Sequence, residues 1–381
     1  MQMQKFIFPL RNPDIIFHTS NMFKTCNQQN KVNLSIGIYA DRYGKITSED
    51  NHYLGIKGDQ RLVKLTNKLL FNRVPDSTVK QLNTLQTCGG TGALSMVANT
   101  LKLFSTRKNN IIIPDPSWAN HYNIFERTGE IIKIPYMKYN KMNFLNKLYE
   151  VDQESHNILL LQTSCHNPTG IDLSMEDWAK VFNVCEDKDI TLIMDSAYIG
   201  MGNGINKDIQ PVVDAMKRNI DLFVCVSYSK IASLYGHRLG LMYFKSKYEL
   251  PNISDNFEYI SRVTQSNPPR MGSDKLLKKY ESNPDILFDE VEEMSIRIKN
   301  TRRTLQTALS KHKEFNFVDG NGLFSLLPFD SYQIEMLQSK YNIFALPNGR
   351  INICGITDNN IDYVVQAFDD IANNYKPIYT I

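Results

Sequence analysis

The chain lacks the marks of a secreted, membrane-spanning or metal-built protein. Its six cysteines (Cys26, Cys88, Cys165, Cys185, Cys225, Cys354) are scattered, with no Cys-x-x-Cys pair. That argues against a disulfide framework and against zinc, so no metal site is expected and a reducing compartment is. Cys185 and Cys225 sit in apolar stretches that read as core. No run approaches the ~20 apolar residues of a membrane span. Met1–Phe17 is interrupted by Pro9, Arg11, Pro13 and Asp14, and has neither a basic start nor a small-residue cleavage site. It reads as an ordered arm rather than a targeting peptide, and the cytoplasm is the expected location. Charge of one sign is missing too. Lys+Arg 43 against Asp+Glu 40 leaves +3, too balanced to predict nucleic acid or an anionic membrane as partner. There is no internal repeat and no low-complexity tract.

What is present is an ordinary globular composition, 42% hydrophobic and 22% charged over 381 residues. That length suffices for one large domain and a smaller companion. Between about residues 84 and 245, short apolar runs alternate with helical patterns, as in a mostly parallel α/β sheet. The runs are Thr84–Cys88, Asn110–Ile113, Glu130–Ile134, Asn157–Gln162, Ile190–Asp195, Leu222–Ser227 and Leu239–Phe244. Several lack polar alternation, which predicts strands buried on both faces. Leu94, Val97, Ala98 and Leu101 share a helical face, and Ser174 with Asp177 reads as a capping box. From Leu287 to Leu309 the apolar spacing predicts one long helix running from one domain into another. The last segment, 313–381, reads as short strands with a helix.

Four strand ends carry chemistry. Ser227-Tyr228-Ser229-Lys230 is followed, eight residues after the lysine, by Arg238. An amine flanked by hydroxyls and a guanidinium suits an aldehyde cofactor bearing a phosphate. By itself a strand-end lysine is more often a solvated charge. Cys88-Gly89-Gly90-Thr91-Gly92 turns a strand into a helix, offering free N–H groups and a positive dipole end to an anion. It is neither a Walker loop nor a full GxGxxG fingerprint, and alone it reads equally as a plain turn. Asp195, ending Ile193-Met194-Asp195, could pair with a protonated ring nitrogen or cap the next helix. Ser164-Cys165-His166-Asn167-Pro168-Thr169-Gly170 is a fourth strand-end turn. All four fall where α/β sheets bind ligands.

Together with Asn348-Gly349-Arg350-Ile351-Asn352, these motifs resemble fold-type I, class I aminotransferases, and most of all the aspartate aminotransferase branch. The likeness runs from Asn33 to Gly355 in the family's order. It implies an α/β fold-type I transferase with a mostly parallel seven-stranded sheet flanked by helices, plus a smaller α+β domain. The implied division is an arm and part of the small domain at 1–30, a large cofactor domain at 31–295, and the rest of the small domain at 296–381. The cofactor implied is pyridoxal 5'-phosphate. Lys230 would carry it and shuttle the substrate proton. Asp195, backed by His121, would pair with the ring nitrogen, and Tyr198 with Asn167 would hold the phenolic oxygen. Gly90, Thr91, Ser227, Ser229 and Arg238 would bind the phosphate with Tyr53 of the neighbouring subunit, while Trp118 stacks on the ring.

By the same resemblance Arg350 would grip the substrate's α-carboxylate, with Trp118 and Asn167 beside it. Arg262 would receive a distal carboxylate across a homodimer interface, and backbone at Ile36 and Gly37 would close over the substrate. The implied reaction moves an amino group between L-aspartate and 2-oxoglutarate in two half-reactions. Departures stand beside these matches. Leu34-Ser35-Ile36-Gly37-Ile38-Tyr39-Ala40 loses a lysine usual in the family, His52 replaces a common asparagine, and Gln162 stands where histidine is frequent. Ile38, Ala40 and Ile46 make the outskirts less polar and leave room for aromatic amino acids. A lyase on the same fold would have no use for Arg262. A cofactor-binding sensor domain of a helix-turn-helix regulator would not need the lysine and both arginines.

Overall fold

In the computed structural model, which describes residues 4–12, 14–35, 37–39, 41–43, 52–136 and 141–375, the seven apolar runs form one sheet. They are β1 (Asn83–Cys88), β2 (Asn109–Asp115), β3 (Glu130–Pro135), β4 (His156–Gln162), β5 (Thr191–Ser196), β6 (Leu222–Ser227) and β7 (Leu239–Lys245). Every boundary falls within two residues of the expectation. The order is β1-β7-β6-β5-β4-β2-β3. Neighbours are parallel except β7, which runs antiparallel to both β1 and β6. The carboxyl ends of six strands therefore share one edge with the amino end of β7, where Arg238 lies.

β4, β5 and β6 are buried along their whole length because both faces are covered. On one face Leu159, Leu161, Leu192 and Met194 pack with Trp178 and Phe182 of the helix Met175–Asp187. The capping box that starts this helix is formed, with Asp177 N–H donating to Ser174 Oγ at 3.1 Å. On the other face Ile158, Leu160, Ile193 and Phe223 meet Leu94, Val97 and Leu101 of the helix Gly89–Phe104. Each such side chain contributes about 1.5–3 kcal/mol by leaving water, so the sheet edge is a rigid platform.

The arm is tied to this second face. Phe6 bridges to Ser105 and packs edge-on to Phe223 and Phe244. Lys5, 1% exposed, pairs with Asp221 at 2.8 Å and Asp189 at 3.0 Å. A buried ammonium between two carboxylates is costly to break from either side.

The long helix, Asp285–Ala308, places Leu287 and Val291 in the sheet core. Further on, Ile298 and Leu305 join a separate core with Phe315, Phe317, Leu337 and Ile371. Two antiparallel strands, β8 (Phe324–Leu326) and β9 (Arg350–Asn352), lie there. Two helices rather than one flank them, Ser331–Tyr341 and Ile361–Asn374. The first is set off by an Asp330/Gln333 capping box and ends at Asn342, whose left-handed backbone closes the last turn. No described helix is long and apolar enough to cross a membrane.

Candidate active site

At the shared edge the turns enclose a cavity of about 120 Å³. Lys230, Asp195, Tyr198, Asn167, Trp118, Gly90, Thr91, Ser227, Ser229 and Arg238 all line it.

One end of the cavity is built for an anion. The helix Gly89–Phe104 begins there with no side chain capping its N–H groups. Gly89 has φ +69°, and a Cβ on it would fall 2.6 Å from Arg238 Nη2. A Cβ on Gly90 would stand 3.0 Å from Ser227 Cβ. Only glycine leaves that cradle open. Arg238 Nη1 donates to Ser229 Oγ at 3.0 Å, so guanidinium and hydroxyl converge on the helix end. Uncapped amides, the helix dipole and a guanidinium are a phosphate site's donor set.

The other end holds a carboxylate. Asp195, 5% exposed, accepts from His121 Nε2 at 3.0 Å through Oδ2. His121 is held in turn by Ser117 Oγ at 2.9 Å from Nδ1. Asp195 Oδ1 is buried and has no hydrogen-bond partner among the described residues. An orphaned buried acceptor costs about 1–3 kcal/mol. Neither oxygen caps a helix. A ring N–H entering the cavity would satisfy Oδ1.

Between the two ends lie the groups that meet a reacting centre. Lys230 Nζ sits 4.6 Å from the centre of the Tyr198 ring. Burial pushes the Lys230 ammonium below its ordinary value, Arg238 adds to this, and the Asp195 charge opposes it. A neutral, nucleophilic amine is thereby easier to reach. Burial, reinforced by Asp195, pushes the Tyr198 phenol up, while a hydrogen bond with the Asn167 side chain and the Arg350 charge pull it down. Arg350 Nη1 donates to Asn167 Oδ1 at 3.0 Å, and its guanidinium lies 4.6 Å over the Phe324 ring. Trp118 forms a wall, perpendicular to His121 at 5.2 Å.

Three expected residues lie elsewhere. Tyr53, Gly37 and Arg262 line a second cavity of about 690 Å³. Tyr53 is 68% exposed. Arg262 Nε pairs with Asp14 Oδ2 at 3.0 Å. Ile36, Ala40 and Ile46 lie outside the described residues. The residue whose part the sequence did not give is Gln162. It lines the main cavity, and its only sequence signal was an unusual residue type at that position.

The sequence profile described as aminotransferase class I and II matches residues 29–368. An aspartate aminotransferase of Pseudomonas aeruginosa is 30% identical over 93% of this chain and 96% of its own length. The solved cytoplasmic aspartate aminotransferase of Saccharomyces cerevisiae superposes with a TM-score of 0.80 at 26% identity, covering 97% of this chain and 98% of that one. An aromatic-amino-acid aminotransferase of Burkholderia pseudomallei, solved covalently bound to pyridoxal phosphate, gives 0.76 at 29% identity over 95% and 98%.

Proposed function

The chain belongs to the family of class I and II aminotransferases, and we propose that it moves amino groups between L-aspartate and 2-oxoglutarate, with Lys230 carrying pyridoxal 5'-phosphate. The observation that supports this most is the pairing of an open anion cradle with an orphaned, buried Asp195 Oδ1 across one cavity. When bound, the cofactor supplies an aldehyde that takes up the amino group and a ring that accepts the electrons released at the substrate's α-carbon. Gly90, Thr91, Ser227, Ser229 and Arg238 hold the phosphate. Asp195 keeps the ring nitrogen protonated, with His121 fixing the direction of the carboxylate. Tyr198 and Asn167 hold the phenolic oxygen. Lys230, partly desolvated, carries the proton at the substrate's α-carbon, and Arg350 orients the α-carboxylate as a two-pronged donor. Borohydride reduction of the purified protein followed by peptide mapping should label Lys230. A label on another lysine, or none, overturns the assignment.

Arg262 is proposed as the receptor for the distal carboxylate, acting in the other subunit of a homodimer. Its place in a cavity apart from Lys230, with Tyr53 and Gly37, supports a site completed by a second copy. Asp14 is then the internal carboxylate that neutralises it when substrate is absent. Arg262→Leu should lower kcat/KM for aspartate roughly 10²- to 10³-fold, the cost of unpairing a shielded carboxylate. Phenylalanine should be affected far less, whereas Arg350→Leu should harm both. Equal losses for the two substrates in Arg262→Leu would remove the dicarboxylate reading. Mixing Arg262→Leu with Lys230→Ala chains should restore one working site per heterodimer. Ile16 and Ile38 share the cavity of Arg262, an apolar lining that favours some acceptance of aromatic substrates. The six cysteines without a disulfide support a cytoplasmic setting.

A further inference from the structure

We propose that Gln162 is a positioning residue of this site: its side-chain amide grips the main chain of Asn167 and so sets how the Asn167 side chain faces cofactor and substrate. The inference rests on the function proposed above.

Gln162 is the last residue of β4, in register with Asp195 on β5 and 8% exposed. Its Nε2 donates to the carbonyl of Asn167 at 2.9 Å, and its Oε1 accepts the Asn167 N–H at 2.9 Å. One planar amide thus fixes both main-chain polar groups of a residue five positions on. With the backbone anchored at N and O, the Cα–Cβ direction of Asn167 is set, and only its rotamer remains free. That rotamer is held by Arg350, which donates to Asn167 Oδ1 at 3.0 Å, and it sets the Asn167 amide near enough to the Tyr198 phenol to pull that phenol down. Gln162 reaches neither group itself. It acts through Asn167 on two functions at once, the α-carboxylate grip and the phenolic-oxygen contact.

The turn does not depend on Gln162 for its course. The His166 N–H donates to Asp172 Oδ1 at 2.9 Å, the Gly170 N–H donates to the His166 carbonyl at 2.6 Å, and Thr163 Oγ1 is bonded to Ser196 Oγ at 2.8 Å. Removing the amide should loosen one residue and leave the turn.

The test uses the holoprotein with maleate as a non-reacting dicarboxylate. Gln162→Leu keeps volume and loses both bonds. It should weaken maleate about tenfold, as for two neutral hydrogen bonds. The pH midpoint of the bound cofactor's visible absorption should rise by about half a unit as Asn167 releases the phenolic oxygen. Thermal stability should fall, because the Asn167 N–H and carbonyl are left buried without partners at about 1–3 kcal/mol each, so both readouts are taken at a temperature where the variant is fully folded. Gln162→Glu supplies a signature that mere packing would not give. Ionised, it loses the donor and sets a carboxylate oxygen against the Asn167 carbonyl; protonated, it restores both bonds. Its maleate affinity should match the leucine variant near about pH 8.5 and approach wild type near about pH 6. Wild-type maleate affinity and midpoint in Gln162→Leu would overturn the inference, as would a Gln162→Glu variant whose ratio to wild type does not vary with pH. A wild-type protein with no such absorption band would overturn the proposed function itself, and the inference with it.

Discussion

Replacing Lys230 by alanine should leave a folded protein that still binds the cofactor but turns over at least roughly 10⁴-fold more slowly, the upper end of what a positioned proton carrier contributes. The variant loses the covalent attachment and the proton-carrying base together. No other lysine among the described residues lines the cavity, so none of these can substitute in place. The fold should survive because Lys230 makes no ion pair among the described residues and stands in a short segment, Tyr228–Ile231, held by the buried Tyr228 hydroxyl on Thr66 Oγ1 at 2.6 Å. The effect on stability has a definite sign. The native site lowers this amine below 10.5 by burial, so the unfolded chain binds the proton more readily. The wild-type apoprotein therefore carries a penalty that is full below the folded pKa and fades as pH rises towards 10.5. Lys230→Ala apoprotein should match or exceed wild type in Tm at neutral pH, and the difference should shrink as pH is raised. Single-turnover kinetics with aspartate check the first claim, and Tm against pH checks the second. Turnover near the wild-type rate would remove Lys230 from the chemistry.

Much of this was legible in the chain because the signals are local. An unbroken apolar run such as Leu222–Ser227 is a strand buried on both faces wherever it occurs, and Gly89 with Gly90 marks a turn that a Cβ would fill. Ser174 and Asp177 specify a helix start within four residues. What local signals could not give is contact between distant elements. The two-point grip of Gln162 on Asn167 depends on how a turn folds back on its own strand. The pairing of Arg262 with Asp14 joins positions 248 apart and reads in the sequence as two ordinary surface charges. Likewise the orphaned oxygen of Asp195 appears only once His121 is seen to take the other one. Before that, an aspartate at a strand end was equally a helix cap. The extra helix Ser331–Tyr341 was missed although its Asp330/Gln333 box is a local signal, because its apolar face is narrow: Ile334 and Leu337 are its only buried apolar residues.

Asp195→Ala should slow turnover by roughly 10²- to several 10³-fold while weakening cofactor binding much less. Removing one partner of a buried charge pair costs about 3–5 kcal/mol, and each 1.36 kcal/mol is about tenfold in rate. The cost falls on the reaction because the ring must stay protonated most of all when it receives electrons, which a carboxylate in a dry site enforces. Binding is spared because the phosphate cradle at Gly90, Ser229 and Arg238 comes from the turns at β1, β6 and β7, whereas Asp195 stands in β5 and bonds to His121. Asp195→Asn separates charge from shape. It can still meet His121, but it no longer holds a proton on the ring nitrogen, so it should resemble alanine in rate rather than wild type. His121→Ala leaves the carboxylate and removes only its orientation at 3.0 Å, which should cost about 1.5–3 kcal/mol as a hydrogen bond to a charged group. The expected order of rates is wild type, then His121→Ala, then Asp195→Asn and Asp195→Ala together. Single-turnover rates with aspartate and cofactor dissociation constants by equilibrium dialysis measure both halves. If Asp195→Ala instead lost the cofactor outright and kept its rate when saturated, the carboxylate would be an anchor and not the group that sets the ring's charge.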